Sequence, residues 1–273
     1  MAGHVSRGRP NEVHADPAQV RPRRLERIAP GSVMMSATAR WVHRRLLDHY
    51  GHPTWESNYA PVHELIGTIL SQHTSDVNSE RAFRALMTAF TSWEAVRDAP
   101  VDQLTETIRR GGLAVVKAQR IQAVLRMLTN SDGRVELPDL RRMRRKRAVD
   151  LLTSLPGVGR KTAACVLLFG SHVAALPVDT HVHRVSRRLG LVPALTSPEA
   201  TANALEAALD PRQYYAFHVN LIRLGREICQ AQRPRCEVCP LSERCSTARP
   251  SQVKLNDRAG RAENTAESRR SRS

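Results

Sequence analysis

The stretch from Leu155 to Arg184, LPGVGRKTAACVLLFGSHVAALPVDTHVHR, constrains this chain more than any other. Leu155-Pro156-Gly157-Val158-Gly159 is a hairpin sequence, and a helix-like run from Arg160 to about Gly170 follows it with Lys161 in the first turn. A Pro-bounded loop then leads to Asp179, where the next helix should begin. A lysine and a carboxylate thus stand 18 residues apart, each beside a helix start. Helix N-termini carry unpaired N–H groups and the positive end of the macrodipole, so both side chains sit in a strong local field.

The length allows one large or two modest domains with a real core. In 273 residues, 42 Lys plus Arg face 26 Asp plus Glu, a formal charge of +16. That excess points to a polyanionic partner, nucleic acid ahead of a membrane surface, although an Arg-rich proteome alone can produce such a charge. The chain has no apolar run of the roughly 18–20 residues that crosses a bilayer. Its MAGHVSRGRP start lacks the apolar core of a secretory signal. The expectation is a soluble cytoplasmic protein, nucleoid-associated, monomeric and without membrane contact.

Apolar spacing is helical throughout. Trp41, Val42, Leu46, Leu47 and Tyr50 mark a helix over 37–50, and Val62, Leu65, Ile66, Ile69 and Leu70 mark one opened by Pro61. Ser75 and Asp76 cap a helix through Phe90, Ser92 caps a short one, and Gly111-Gly112-Leu113 separates helices over 101–110 and 117–130. Further helices are predicted from about Pro138 to Ser154, after Asp179, from Ser197 to Leu209, and through Phe217 to Ile228. Period-two alternation is absent, so the fold class is all-α with about ten helices. Residues 1–31 read as a disordered basic arm and 249–273 as a disordered tail.

Cys229, Cys236, Cys239 and Cys245 stand as C-x6-C-x2-C-x5-C. Four thiolates so crowded can close one tetrahedral site for Zn²⁺ or an iron–sulfur cluster, and a single C-x2-C tilts the choice toward the cluster. Arg226, Arg233, Arg235 and Arg244 beside them offer charge to a phosphate backbone. Cys165 stands apart and reads as a small buried residue. His181, His183 and His218 read as packing or DNA-facing groups.

Gly157 and Gly159 permit positive φ and leave N–H groups uncovered, so the hairpin through Val158 and Arg160 can hold a phosphate oxygen. An apolar helix, L-P-G-x-G and an Arg-Lys-Thr helix start together make a helix–hairpin–helix, which binds DNA backbone irrespective of sequence. Lys161 is a phosphate contact, a solvated surface lysine or, with the dipole and burial favouring the neutral amine, a nucleophile for a sugar C1′. Asp179 reads as an N-cap and as a carboxylate that stabilises oxocarbenium-like charge at C1′.

LPGVGRKTA, LPVDTHVHR and the cysteine spacing, in that order, resemble the endonuclease III branch of the helix–hairpin–helix base-excision DNA glycosylases, over about residues 36–247. The resemblance implies a [4Fe-4S] cluster on Cys229, Cys236, Cys239 and Cys245, Lys161 as nucleophile and Asp179 as the catalytic carboxylate. It implies a six-helix barrel domain with the helix–hairpin–helix over 61–173. An iron–sulfur cluster domain over 32–60 plus 174–248 would complete the fold, with the DNA cleft between the two. Two gap-filling loops match LSQHTSD (70–76) and GGLAVVKA (111–118), with Leu113 as apolar wedge and Gln72 or His73 as polar plug. Ala114 stands where an aromatic is common, and the basic run Arg141–Arg147 is a further departure, read as a solvated face or an extra DNA contact.

The implied activity is a bifunctional glycosylase and AP lyase. It would remove oxidised or otherwise damaged pyrimidines from double-stranded DNA, and abasic sites would also be substrates. The rivals are a mismatch or uracil-type glycosylase, a non-catalytic helix–hairpin–helix DNA-binding module, and an iron–sulfur redox protein.

Overall fold

The computed structural model describes residues 30–54 and 60–248. The predicted arm and tail lie outside them, except that Pro30 and Gly31 already belong to the first helix. The α-helices are α1 (Pro30–Tyr50), α2 (Pro61–Ser71), α3 (Asp76–Ala89), α4 (Trp93–Asp98), α5 (Val101–Thr107), α6 (Ala114–Met127), α7 (Arg145–Thr153), α8 (Arg160–Cys165), α9 (Thr180–Leu189), α10 (Pro198–Ala208) and α11 (Tyr214–Glu227). Among the described residues there is no strand, only one isolated bridge between Thr129 and Val135. None of these helices is long and apolar enough to cross a membrane.

Two apolar clusters organise the helices. One runs from Val62 to Ala175 and gathers the inner faces of α2 to α8. In α2, Val62, Leu65, Ile66, Ile69 and Leu70 are all buried on one stripe, and Pro61 pre-sets the first turn. Burying each such side chain stabilises the fold by about 1.5–3 kcal/mol, and Leu65→Ala would cost about 2–5 kcal/mol. The second cluster joins Ala39, Val42 and Leu46 of α1 to α9, α10, α11 and the segment ending at Ala248. Leu167 belongs to the first cluster and Leu168 to the second, so the chain changes cores within a single π-helical turn, Val166–Gly170.

Caps behave as the side chains dictate. Ser75, Ser92 and Ser197 accept from the N–H groups of Asn78, Ala95 and Ala200. Asp76 is the first helical residue, not the cap. The predicted single helix over 138–154 is two pieces. Asp139 caps a separate turn, Leu140–Arg142, by accepting from Arg141 N–H, and Met143 and Arg144 are extended before α7 begins. Helix α6 starts at Ala114, earlier than its apolar pattern shows. Leu113 adopts a left-handed conformation (φ 50°) while its carbonyl already accepts from Lys117 N–H at 2.9 Å.

Candidate reaction cleft and cysteine pocket

The hairpin is a tight turn with a chemical reason for each residue. Val158 N–H donates to Leu155 O at 3.1 Å, Pro156 stands second and Gly157 third with φ 73°, the pattern of a type II turn. Positive φ is needed at Gly157 alone, because Gly159 has φ −89° and ψ 177°. What Gly159 offers is space: a Cβ there would meet nothing within 4 Å. It begins α8 without any side-chain cap, so the first N–H groups of that helix are left for another partner. Val158 contributes neither side chain nor free N–H, since it is buried in the first core and its N–H closes the turn. Arg160 is exposed and donates to Asn203 Oδ1 at 3.0 Å, across to α10.

Lys161 is exposed in the first turn of α8 and has neither hydrogen bond nor ion pair among the described residues. Asp179 is the N-cap of α9, its Oδ1 accepting from Val182 N–H at 2.7 Å. Both line one cleft of about 720 Å³, whose other wall is the loop from Ser71 to Asp76. An ion pair crosses it, Arg226 Nη2 to Asp76 Oδ2 at 2.5 Å, with both side chains half exposed or more, so it adds little stability.

Groups behind the cleft feel these charges. Burial pushes the Cys165 thiol up to about 12, with Lys161 opposing and Glu64 and Asp179 adding to the shift, so it stays an inert core thiol. His218 is buried and its Nδ1 donates to Pro177 O at 2.9 Å. Burial pushes it down to about 4 against the pull of Asp179, so the ring is neutral. Burial also raises Glu64, while a hydrogen bond from Thr68 Oγ1 at 3.1 Å and the charge of Lys161 act the other way. His183 Nε2 and His181 Nδ1 have local partners in Thr196 O and Arg184.

Both predicted gap loops carry strained backbone. Among the described residues His73, Leu113 and His172 are the non-glycine residues with positive φ, and the first two lie on those loops. His73 is exposed, and Leu113 is 58% exposed despite its size. Gln72 is engaged instead: it accepts from Arg120 Nη1 at 2.8 Å and donates to Gly157 O at 3.1 Å. Lys117, only 2% exposed, donates to Leu70 O and Gly111 O, each at 2.7 Å, and so ties the two loops together. Burial and the neighbouring Arg120 lower its pKa. Sequence reasoning passed over Lys117 and Arg120. The signal was present for Lys117, which stands in phase with Ile121, Val124, Leu125 and Leu128 on the apolar stripe of α6, where a charge needs a buried partner.

Cys229, Cys236, Cys239 and Cys245 line one pocket under α9 and α11, and none is in a disulfide. Among the described residues no three His, Cys, Asp or Glu are gathered closely enough to hold a metal ion as they stand. The donor chemistry nevertheless suits a thiolate-bound group. Arg188 Nη1 lies 3.4 Å from Cys229 Sγ and anchors the following backbone through Gln230 O and Ala231 O. Burial and the other three thiols push Cys239 up to about 11, so four thiolates here need positive charge among them. Arg184 donates to Gly225 O and Cys229 O, so α9 carries Asp179 at its start and braces the cysteine loop from its middle.

Helices flanking a glycine hairpin, with an amine and a helix-capping carboxylate on one cleft, make an all-helical frame of the helix–hairpin–helix kind. The model of the HhH-GPD superfamily base excision DNA repair protein matches residues 66–211. The chain belongs to that superfamily. It is 38% identical over 185 residues to endonuclease III of Thermotoga maritima, covering 68% of this chain and 82% of that protein. It is 34% identical over 170 residues to the DNA glycosylase/AP lyase ROS1 of Arabidopsis thaliana, covering 56% of this chain and 12% of that protein. Among solved structures, a trapped endonuclease III–DNA covalent intermediate superposes with a TM-score of 0.70 at 29% identity, covering 80% of this chain and 98% of that one. A thermostable thymine-DNA glycosylase, at TM-score 0.64 and 20% identity, shares the fold.

Proposed function

We propose that this chain is a DNA glycosylase and AP lyase of base excision repair, acting on damaged pyrimidines in duplex DNA. The observation that carries the reading is the pair lining one cleft: an exposed Lys161 with no partner among the described residues and an Asp179 fixed as a helix cap, with an uncapped helix start next to the lysine. The endonuclease III relatives and the DNA complexes they form support it.

The chemistry follows from these groups. The hairpin N–H groups at Gly159 and Arg160 take a phosphate oxygen, holding the backbone while one nucleotide is extruded. Asp179 is oriented by Val182 N–H and faces the positive charge that develops at C1′ as the base departs. Lys161 Nζ attacks C1′, the C1′–N bond breaks, and the base leaves with a proton. Loss of the ring-oxygen bond gives a Schiff base, proton removal from C2′ expels the 3′ phosphate, and water releases the lysine. Leu113 and His73 fill the space left in the stack, while Gln72 stays in its bridge to the hairpin.

The cysteine pocket is read as the seat of a [4Fe-4S] cluster held by Cys229, Cys236, Cys239 and Cys245. The group would supply ordering of the loop between the thiolates and take no part in base removal. The two apolar clusters are read as two domains meeting at the cleft, 61–173 and 32–60 plus 174–248.

Borohydride trapping on duplexes carrying thymine glycol, uracil, a T:G mismatch or an abasic site tests the reading. The expected result is a covalent adduct with thymine glycol and the abasic duplex, lost in Lys161→Gln. Trapping with uracil or T:G alone would transfer the function to the mismatch class, and trapping with none would sink the lyase.

A further inference from the structure

Helix α6 reaches both predicted gap loops and the hairpin. Leu113 caps it, and Lys117, one turn in, holds Leu70 O and Gly111 O. Arg120 comes next on the same side. Its guanidinium lies across Gly157 so closely that a Cβ there would stand 2.1 Å from Nε, and Nη1 donates to Gln72 Oε1 at 2.8 Å. Gln72 Nε2 passes the connection on to Gly157 O at 3.1 Å, with Thr162 Oγ1 at 3.4 Å. The amide can face only one way. Arginine has donors alone and a carbonyl only accepts, so the oxygen must turn to Arg120 and the nitrogen to the hairpin.

This bridge sits one residue from His73, whose left-handed backbone (φ 53°) costs about 1 kcal/mol or more and persists only where its surroundings over-determine it. Lys117 fixes residue 70 and the Arg120–Gln72 bridge fixes residue 72. We propose that Arg120 is a positioning residue that fastens the 70–76 loop to the hairpin, so that seating a phosphate on the hairpin presents His73 to the base stack. Lysine could not replace it, because the contact needs a flat guanidinium over Gly157. The inference rests on reading the cleft as a base-extruding DNA site.

The test uses the full chain and a duplex with a tetrahydrofuran abasic analogue opposite 2-aminopurine, whose fluorescence reports a side chain entering the stack. Arg120→Met, Gln72→Ala and the double variant are compared with the parent for Kd and for fluorescence change at saturation. Each single variant should bind within about threefold of the parent yet lose most of the signal, and the double variant should be no worse than either single. Excision of a lesion should fall about tenfold or more while cleavage of a preformed abasic site stays within about threefold. Gln72→Ala removes only the bridge, so it carries the test even if Arg120→Met melts early. Weakened binding with full signal would make Arg120 a plain phosphate contact and overturn the proposal, as would unchanged signal or losses that multiply in the double variant. A parent protein that does not bind the abasic duplex would instead overturn the reading of the cleft.

Discussion

Lys117 and Lys161 look alike in the sequence and differ in every physical respect. Each follows a glycine-containing turn, and each lies in the first turn of a helix, α6 or α8. Lys117 is buried with two backbone carbonyls on its amine, while Lys161 is exposed and has no partner among the described residues. Two carbonyl partners make Lys117 a strut between the loops, while the Lys161 amine stands open to the cleft. The chain is sparing with lysine: only residues 117, 146, 161 and 254 among its 42 Lys and Arg. Arginine stays protonated and serves phosphate as well or better, so a buried lysine such as Lys117 marks a place where a compact amine is required.

The largest expected break in that comparison is Lys161→Gln, which should take borohydride trapping below detection while the melting temperature stays within a few degrees. Asp179→Asn should follow. Asparagine caps a helix as well as aspartate, so the fold should hold while single-turnover base excision falls about 100-fold or more. A loss of stability in place of activity would reduce Asp179 to a cap. Lys117→Met should do the reverse of Lys161→Gln. It leaves Leu70 O and Gly111 O unpaired, at roughly 1–3 kcal/mol each, and should lower the denaturation midpoint while residual folded protein still traps DNA.

His218, behind both cleft charges, gives a smaller effect with a definite sign. Its folded pKa, about 4, lies below the ordinary 6.5, so between those values the unfolded chain takes up a proton that the folded chain refuses. Stability should therefore fall as pH drops through that window, and His218→Asn should flatten the slope in urea melts run from pH 7 to 4. Least of all, Arg160→Ala should reduce the steepness of log affinity against log salt by about one phosphate contact.

What the sequence made legible was chemistry attached to local pattern. Pro156 and Gly157 fix the turn, Asp179 announces its helix, and the α2 stripe reads directly as a buried face. What stayed hidden depends on distant partners or on competition between neighbours. Gln72 reads as a gap filler until Gly157, 85 residues away, is seen to hold it. The break at Met143 carries no glycine or proline. It arises because Asp139 captures the Arg141 N–H and starts a turn of its own. Gly159 suggested positive φ, but its role is open space beside a helix start.

Lys161, and not its buried counterpart, is the residue proposed to form the bond to DNA. Peptide mapping by mass spectrometry of the borohydride-trapped abasic adduct tests it directly. The sugar-derived mass should appear on the peptide containing Lys161. Finding it on Lys117, Lys146, Lys254 or the terminal amine would contradict the assignment of Lys161.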